Sequence, residues 1–259
     1  MMKQFFSFVA LIAFTLVLVP SCQKDHDGKP DTPDIPGELH PVPTEGVVDL
    51  GLSVLWLDHN VGAVKPSDIG SYFQWAGVLD VSDLDIYLYY DNCPYHNHDV
   101  TEEKGWLKYC DVASYGNVDN LTVLEPMDDA AYMTPDASKW CQRMPSYEEM
   151  EELIRNCTWT LTTIDNVQGY KVQSNIEGYT DKWIFLPSAG HRAFNELYND
   201  GNTTLYWTST LVTGNPSRAI ALSCWRNPDI NEDFIYLHPD IRYFGLPVLP
   251  VIEVKKDGK

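Results

Sequence analysis

Basic residues are scarce in this chain. Eighteen Lys and Arg stand against 37 Asp and Glu in 259 residues, a formal net charge of −19. Proteins hold phosphate backbones through Lys and Arg, so this balance excludes nucleic acid as a partner and disfavours broad adhesion to anionic lipid. No Cys-x-x-Cys pair occurs among the six cysteines, which leaves a zinc ribbon or a thioredoxin-like centre without ligands. A Gly-x-Ser-x-Gly elbow is also missing, so no serine is nominated as a nucleophile. No sequence period of about 20–50 residues repeats, which argues against a solenoid or propeller. No apolar run reaches the roughly 20 residues that a membrane-spanning helix needs.

One shorter apolar run is present. Phe5 to Val19 is nearly unbroken hydrocarbon behind Lys3, and Val19-Pro20-Ser21 leads into Cys22. That order reads as a lipoprotein signal peptide over residues 1–21, with Cys22 as the lipidated residue. More than one acyl chain on Cys22 would give stable membrane anchoring. Gln23-Lys24-Asp25-His26-Asp27 resembles the acid-rich export signal of Bacteroidota lipoproteins, which implies display on the outer face of the outer membrane. Residues 22–45 then carry Pro30, Pro33, Pro36, Pro41 and Pro43 among Asp and Gly and read as an extended tether, at about 3.1 Å per residue.

Folded structure is expected over residues 46–254, long enough for one substantial core, with a short tail at 255–259. Five cysteines fall in that body: Cys93, Cys110, Cys141, Cys157 and Cys224. Pairs Cys93–Cys110 and Cys141–Cys157 stand open beside the alternative of buried thiols. Val47–Leu50 and Val54–Leu57 read as strands around Gly51, and Tyr72–Trp75 as a third. Asp80 to Asp129 loses periodicity and reads as a loop-rich insertion. Ser146-Tyr147-Glu148-Glu149 fits a capping box, and Met150, Leu153, Ile154 and Cys157 follow at helical spacing. Glu148, Glu149, Glu151 and Glu152 then form its solvated face and acidic first turn, not a metal site. Further strands are expected at Trp183–Leu186, Leu205–Thr210, Ala219–Trp225, Phe234–Leu237 and Pro247–Val254.

Taken in order, several segments resemble the Fibrobacter succinogenes major paralogous domain family, which is related to the C-type lectin-like fold. They include Val48-Asp49-Leu50-Gly51-Leu52-Ser53-Val54, Asn60-Val61-Gly62-Ala63, Asp128-Asp129-Ala130-Ala131 and Arg143-Met144-Pro145-Ser146. Gly70 with Tyr72-Phe73 and Trp75, Trp140, Glu151-Glu152-Leu153-Ile154 with Cys157 and Trp159, Gly169-Tyr170-Lys171-Val172, Leu186-Pro187-Ser188-Ala189-Gly190 with Arg192, and Tyr206-Trp207-Thr208-Ser209 belong to the same set. The resemblance implies an α+β class: a mostly antiparallel sheet, about two helices and long loops, with the first and last strands meeting. It implies a displayed binding or adhesion module, not a known reaction. His59 stands where the family has a cysteine, so a disulfide from that position is ruled out.

The candidate ligand-binding residues cluster late in the chain. Trp225, Arg226, Asn227, Asp229, Asn231 and Asp233, continued by Tyr236, His238, Arg242 and Tyr243, mix aromatic faces with directional polar groups. Their expected partner is a glycan or a protein. No cofactor is expected, although Asp229, Asn231, Glu232 and Asp233, with Glu125-Pro126, offer oxygens for calcium. His96-Asn97-His98-Asp99 could place two imidazoles on one side of an extended segment. An alternative reading is a structural or accessory subunit of a surface assembly. A third is a relative of the formylglycine-generating oxidases, for which Cys224 would have to act.

Overall fold

A computed structural model describes residues 45–82, 87–134, 142–198, 201 and 203–253. The chain divides into two units, Met1–Asp34 and Ile35–Lys259, and the described residues all belong to the second. The leader, Cys22, most of the tether, Trp140, Cys141 and the tail lie outside them. Among the described residues no helix is long and apolar enough to cross a membrane.

The architecture is mostly antiparallel sheet with one α-helix among the described residues, where about two were expected. Strands β1 (Val47–Val48), β2 (Val54–Leu57), β3 (Gln142–Arg143) and β12 (Val251–Glu253) form a sheet in the order β1-β2-β12-β3. The last strand therefore meets the N-terminal hairpin, pairing with β2 rather than with β1, with Leu55 opposite Ile252 and Val54 opposite Glu253. The expected strand at Tyr72–Trp75 reduces to a single bridge between Phe73 and Leu246. The last strand is also shorter than expected, because Pro247 and Pro250 lack the N–H a ladder needs.

Helix α1 (Tyr147–Asn156) starts where its capping box places it: the Ser146 hydroxyl accepts from the Glu149 N–H, and Glu149 accepts from the Ser146 N–H. Met150 and Leu153 are fully buried. Its acidic face is less solvated than the sequence suggests. Glu149 takes a two-pronged bond from Arg143, with Nη1 to Oε2 at 2.8 Å and Nη2 to Oε1 at 2.6 Å. Glu152 accepts from the Ser53 N–H at 3.0 Å. These two carboxylates tie the helix to β3 and to the turn before β2.

Strands β4 (Cys157–Ile164), β5 (Val167–Ser174) and β6 (Trp183–Pro187) form a meander that the sequence reading foresaw only at β6. Asp165 and Asn166 make its two-residue turn, with φ of 50° and 64°. Asp and Asn tolerate that left-handed backbone better than most residues, and it matches the twist of a tight hairpin. Gly169 on β5 is required for space, since a Cβ there would sit 2.6 Å from the Phe185 ring. A small hairpin follows, β7 (His191–Ala193) with β8 (Glu196–Tyr198).

The third sheet has the order β11-β10-β9, from β9 (Thr203–Leu211), β10 (Arg218–Asn227) and β11 (Glu232–Ile241). It separates two apolar clusters. Leu222, Cys224 and Tyr206 face one, with Met150, Leu153 and Tyr170; Ala219, Ala221 and Trp207 face the other, with Trp75 and Tyr109. The loop-rich stretch before β3 holds two 3-10 turns, Tyr90–Asn92 and Pro126–Asp128. Cys93, Cys110, Cys157 and Cys224 are buried free thiols, so the Cys93–Cys110 pairing does not form, while the Cys141–Cys157 pairing involves a residue outside the described ones.

Candidate functional site

The expected ligand residues lie along the β10–β11 hairpin, but the strand geometry sorts them into three environments. Arg218 to Asn227 pairs with Ile241 to Glu232 without interruption, so residues directly opposite share a face and successive residues alternate. One face carries Arg226 opposite Asp233. The other carries Trp225, Phe234, Tyr236, His238 and Asp240.

At the tip, Arg226, Asn227, Asn231 and Asp233 are occupied with one another. Arg226 donates from Nε to Asn231 Oδ1 at 3.0 Å and from Nη2 to the Asn231 carbonyl at 3.2 Å, and lies 3.7 Å from Asp233 Oδ2. Tyr170 donates its hydroxyl to Asp233 Oδ1 at 3.0 Å. Asn227 Oδ1 accepts from the Asp229 N–H at 2.9 Å, and Asn231 itself holds a φ of 56°. These polar groups build the turn. Asp229 is exposed, and its N–H rather than its carboxylate makes the bond to the turn.

Arg242 and Tyr243 depart furthest from expectation. Arg242 is completely buried, its guanidinium 3.8 Å from the Trp106 ring centre and 4.8 Å from that of Trp75. Its Nη1 donates to the carbonyls of Pro216 at 2.9 Å and Tyr109 at 3.2 Å. Burial pushes its pKa down to about 10, against the pull of the neighbouring Cys93 and Tyr109. Tyr243 is 5% exposed and packs among Tyr89, Tyr90 and Phe244. Both are core residues, which removes them from the ligand set. Polar and aromatic residues after a strand read as surface in one dimension; most of the rings that enclose them, Trp75, Tyr89, Tyr90 and Trp106, arrive from more than a hundred positions away.

The remaining face is the chemically open one. The apolar cluster on that side takes residues from β9 and β10 but none from β11, where Tyr236 is exposed and Phe234 and His238 are half-buried. Trp225 stacks on Phe234 with ring centres 4.8 Å apart and planes 13° apart. Tyr236 follows, 43% exposed, and His238 lies 5.6 Å from it. Three aromatic rings therefore stand at alternate positions of one strand, Phe234, Tyr236 and His238, spanning about 13 Å at the usual rise. Beyond them Asp240 is buried, with one oxygen accepting from the Ile241 N–H at 2.8 Å and the other 3.8 Å from His238 Nε2. His238 Nε2 is itself buried and has no hydrogen-bond partner. Burial raises the Asp240 carboxyl above its usual range, opposed by His238, His191 and Arg218 nearby. Phe234 and Asp240 were missed by the sequence reading, although the period-two alternation of β11 contains the signal for both.

No family model matches the chain. Comparison with curated proteins and with solved structures likewise finds no match.

A second aromatic surface adjoins Asp240. His191 lies between Tyr198, stacked at 5.2 Å, and Phe244, at 4.9 Å, while Tyr87 and Phe194 approach to 5.3 Å. Tyr87 and Tyr198 are exposed, and burial lowers the pKa of His191. Elsewhere, a cavity of about 430 Å³ has an apolar rim including Val78, Leu79 and Met127 and includes Asp128 in its lining. Asp128 is fully engaged: it accepts from Tyr95, Tyr109 and Lys108, each at 2.5 Å.

The metal candidates come apart. Among the described residues no group of three His, Cys, Asp or Glu is placed to hold a metal ion. Asp233 is bonded to Tyr170, and Glu125 pairs with Lys108 at 2.5 Å. His96 is buried against Trp106 at 4.7 Å, whereas exposed His98 turns Nδ1 to the Asp91 carbonyl, so the two imidazoles serve different neighbours. Cys224 is fully buried, and burial drives its thiol well above the ordinary value, which disfavours a nucleophilic thiolate.

Proposed function

We propose that this protein is a non-enzymatic binding module, anchored through a lipidated Cys22 at the outer surface of the outer membrane and gripping a glycan or protein ligand. The C-type lectin-like frame belongs to the same reading. The observation that carries it is the row Phe234, Tyr236 and His238 with Trp225 stacked at one end, on a face where the apolar cluster takes no residue from β11. Aromatic rings backed by a rigid sheet give large contact area at low entropic cost, and the unpaired His238 Nε2 supplies direction. The alternative, a structural subunit of a surface assembly, uses the same anchor but gives no role to the unpaired His238 Nε2. The deciding experiment is an array of glycans and proteins probed with the full chain and with Tyr236→Ala. Capture that disappears in the variant supports the reading; capture that is unchanged moves the binding face elsewhere.

A further inference from the structure

We infer that the ligand on this face is a linear, non-acidic glycan lying along β11 from Phe234 to His238, with one hydroxyl bridging Asp240 and His238. The inference rests on the binding-module reading above and narrows its ligand class.

Shape comes first. Phe234, Tyr236 and His238 are held at alternate positions of one strand, in register with Trp225, Ser223 and Ala221 on β10. The rings form a strip about 13 Å long rather than an enclosed pocket. A strip of that length exceeds one sugar ring, so successive units of a chain can each set their C–H face on an aromatic face.

Polar chemistry narrows the choice further. Asp240 Oδ2 and His238 Nε2 are 3.8 Å apart, too far to bond directly, and Nε2 has no other partner. A buried polar atom without a partner marks a place where something else completes the bond. A hydroxyl can donate to the carboxylate and accept from the imidazole N–H at once, and sugars present hydroxyls beside apolar ring faces.

Charge excludes the acidic members of that class. Glu232 and Asp240 stand on this face of β11, Asp229 is at its turn, and the chain as a whole carries −19. A uronate, sulfate or sialic acid would meet repulsion over the whole approach. A peptide adding as a strand is disfavoured too. The Arg242 N–H bonds the Ser217 carbonyl, and the alternation from that bond turns Pro239 to the free edge of β11, where it offers no donor.

The test is calorimetric titration of the purified full chain with neutral oligosaccharides from one to six units, selected from an array of neutral and acidic linear glycans. A six-unit chain should bind at least about tenfold more tightly than a single unit. Tyr236→Ala and His238→Ala should each lose about tenfold while keeping the wild-type circular dichroism spectrum and melting temperature. Equal affinity for one unit and six, or preference for acidic glycans, overturns the linear, non-acidic assignment while leaving a binding module. Tyr236-dependent capture of proteins alone, with no glycan bound, does the same. No capture of any glycan or protein overturns both. Because the length dependence is read on the unaltered chain, a variant that fails to fold does not obscure the result.

Discussion

Arg242 and Trp106 form the most confined charge contact among the described residues: a fully buried guanidinium 3.8 Å from the centre of a fully buried indole. No carboxylate among the described residues lies within ion-pair distance of it, and its Nε and Nη2 are unpaired. Stability there comes from ring faces and two carbonyls rather than from a counter-charge. Arg242→Ala should cost about 3–5 kcal/mol, because it opens a cavity and orphans the carbonyls of Pro216 and Tyr109. Arg242→Met, which refills the volume and removes the buried charge, should cost measurably less. Urea denaturation of the two variants checks the order; equal losses would show that the charge, not the volume, dominates.

The two faces of the hairpin tip should separate in mutagenesis. Arg226→Ala removes bonds to Asn231 and should lower stability by about 1 kcal/mol while leaving ligand capture intact. Trp225→Ala strips the partner of Phe234 from the open face and should weaken capture by about tenfold. Binding and denaturation measured on both variants decide this. Loss of capture in Arg226→Ala alone would place the ligand on the opposite face.

Glu149 gives a pH prediction of one sign. Hydrogen bonding and charge from Arg143, together with the Ser146 N–H, hold its carboxyl below the ordinary value despite burial. A lowered folded pKa contributes stability that is present above the unfolded value of about 4.3 and is lost as pH falls through the folded one. Glu149→Gln should therefore cost about 2–4 kcal/mol at pH 7, and its stability curve should approach the wild type below about pH 4. A deficit that stays constant with pH would contradict the ion pair.

Asp129 gives the opposite sign. It is 4% exposed, and burial pushes its pKa up to about 6, although the N–H groups of Met144, Tyr132 and Ala131 all donate to it. A raised folded pKa contributes stability that is present below about 3.9 and is lost as pH rises through about 6. Asp129→Asn leaves one backbone donor unmatched but does not titrate. Its deficit should be largest near pH 4 and shrink towards pH 7, as read by thermal unfolding across that range.

The elements legible in the sequence are those whose cause is local. Ser146 and Glu149 cap a helix by contacts three residues apart, and β9, β10 and β11 follow from runs of apolar and branched residues. Asp165-Asn166 is also local, yet its turn is hard to read because the flanking Thr-rich strand β4 lacks a clean apolar alternation. Arg242 and Tyr243 were illegible for a different reason. Their burial depends on Trp75, Trp106, Tyr89 and Tyr90, which no spacing rule brings to them. The open face is half legible: Trp225, Tyr236 and His238 stand out by their chemistry, while Phe234 reads as an ordinary strand residue and Asp240 as one more acid in an acidic chain.

The pairing of Val54 with Glu253 has a practical consequence. A folded unit whose opening hairpin is hydrogen-bonded, through its second strand, to the closing strand needs only a short peptide to join its ends. New termini could then be cut into an exposed loop, or the whole unit spliced into a surface loop of an unrelated host protein, with the hairpin still held by its own sheets.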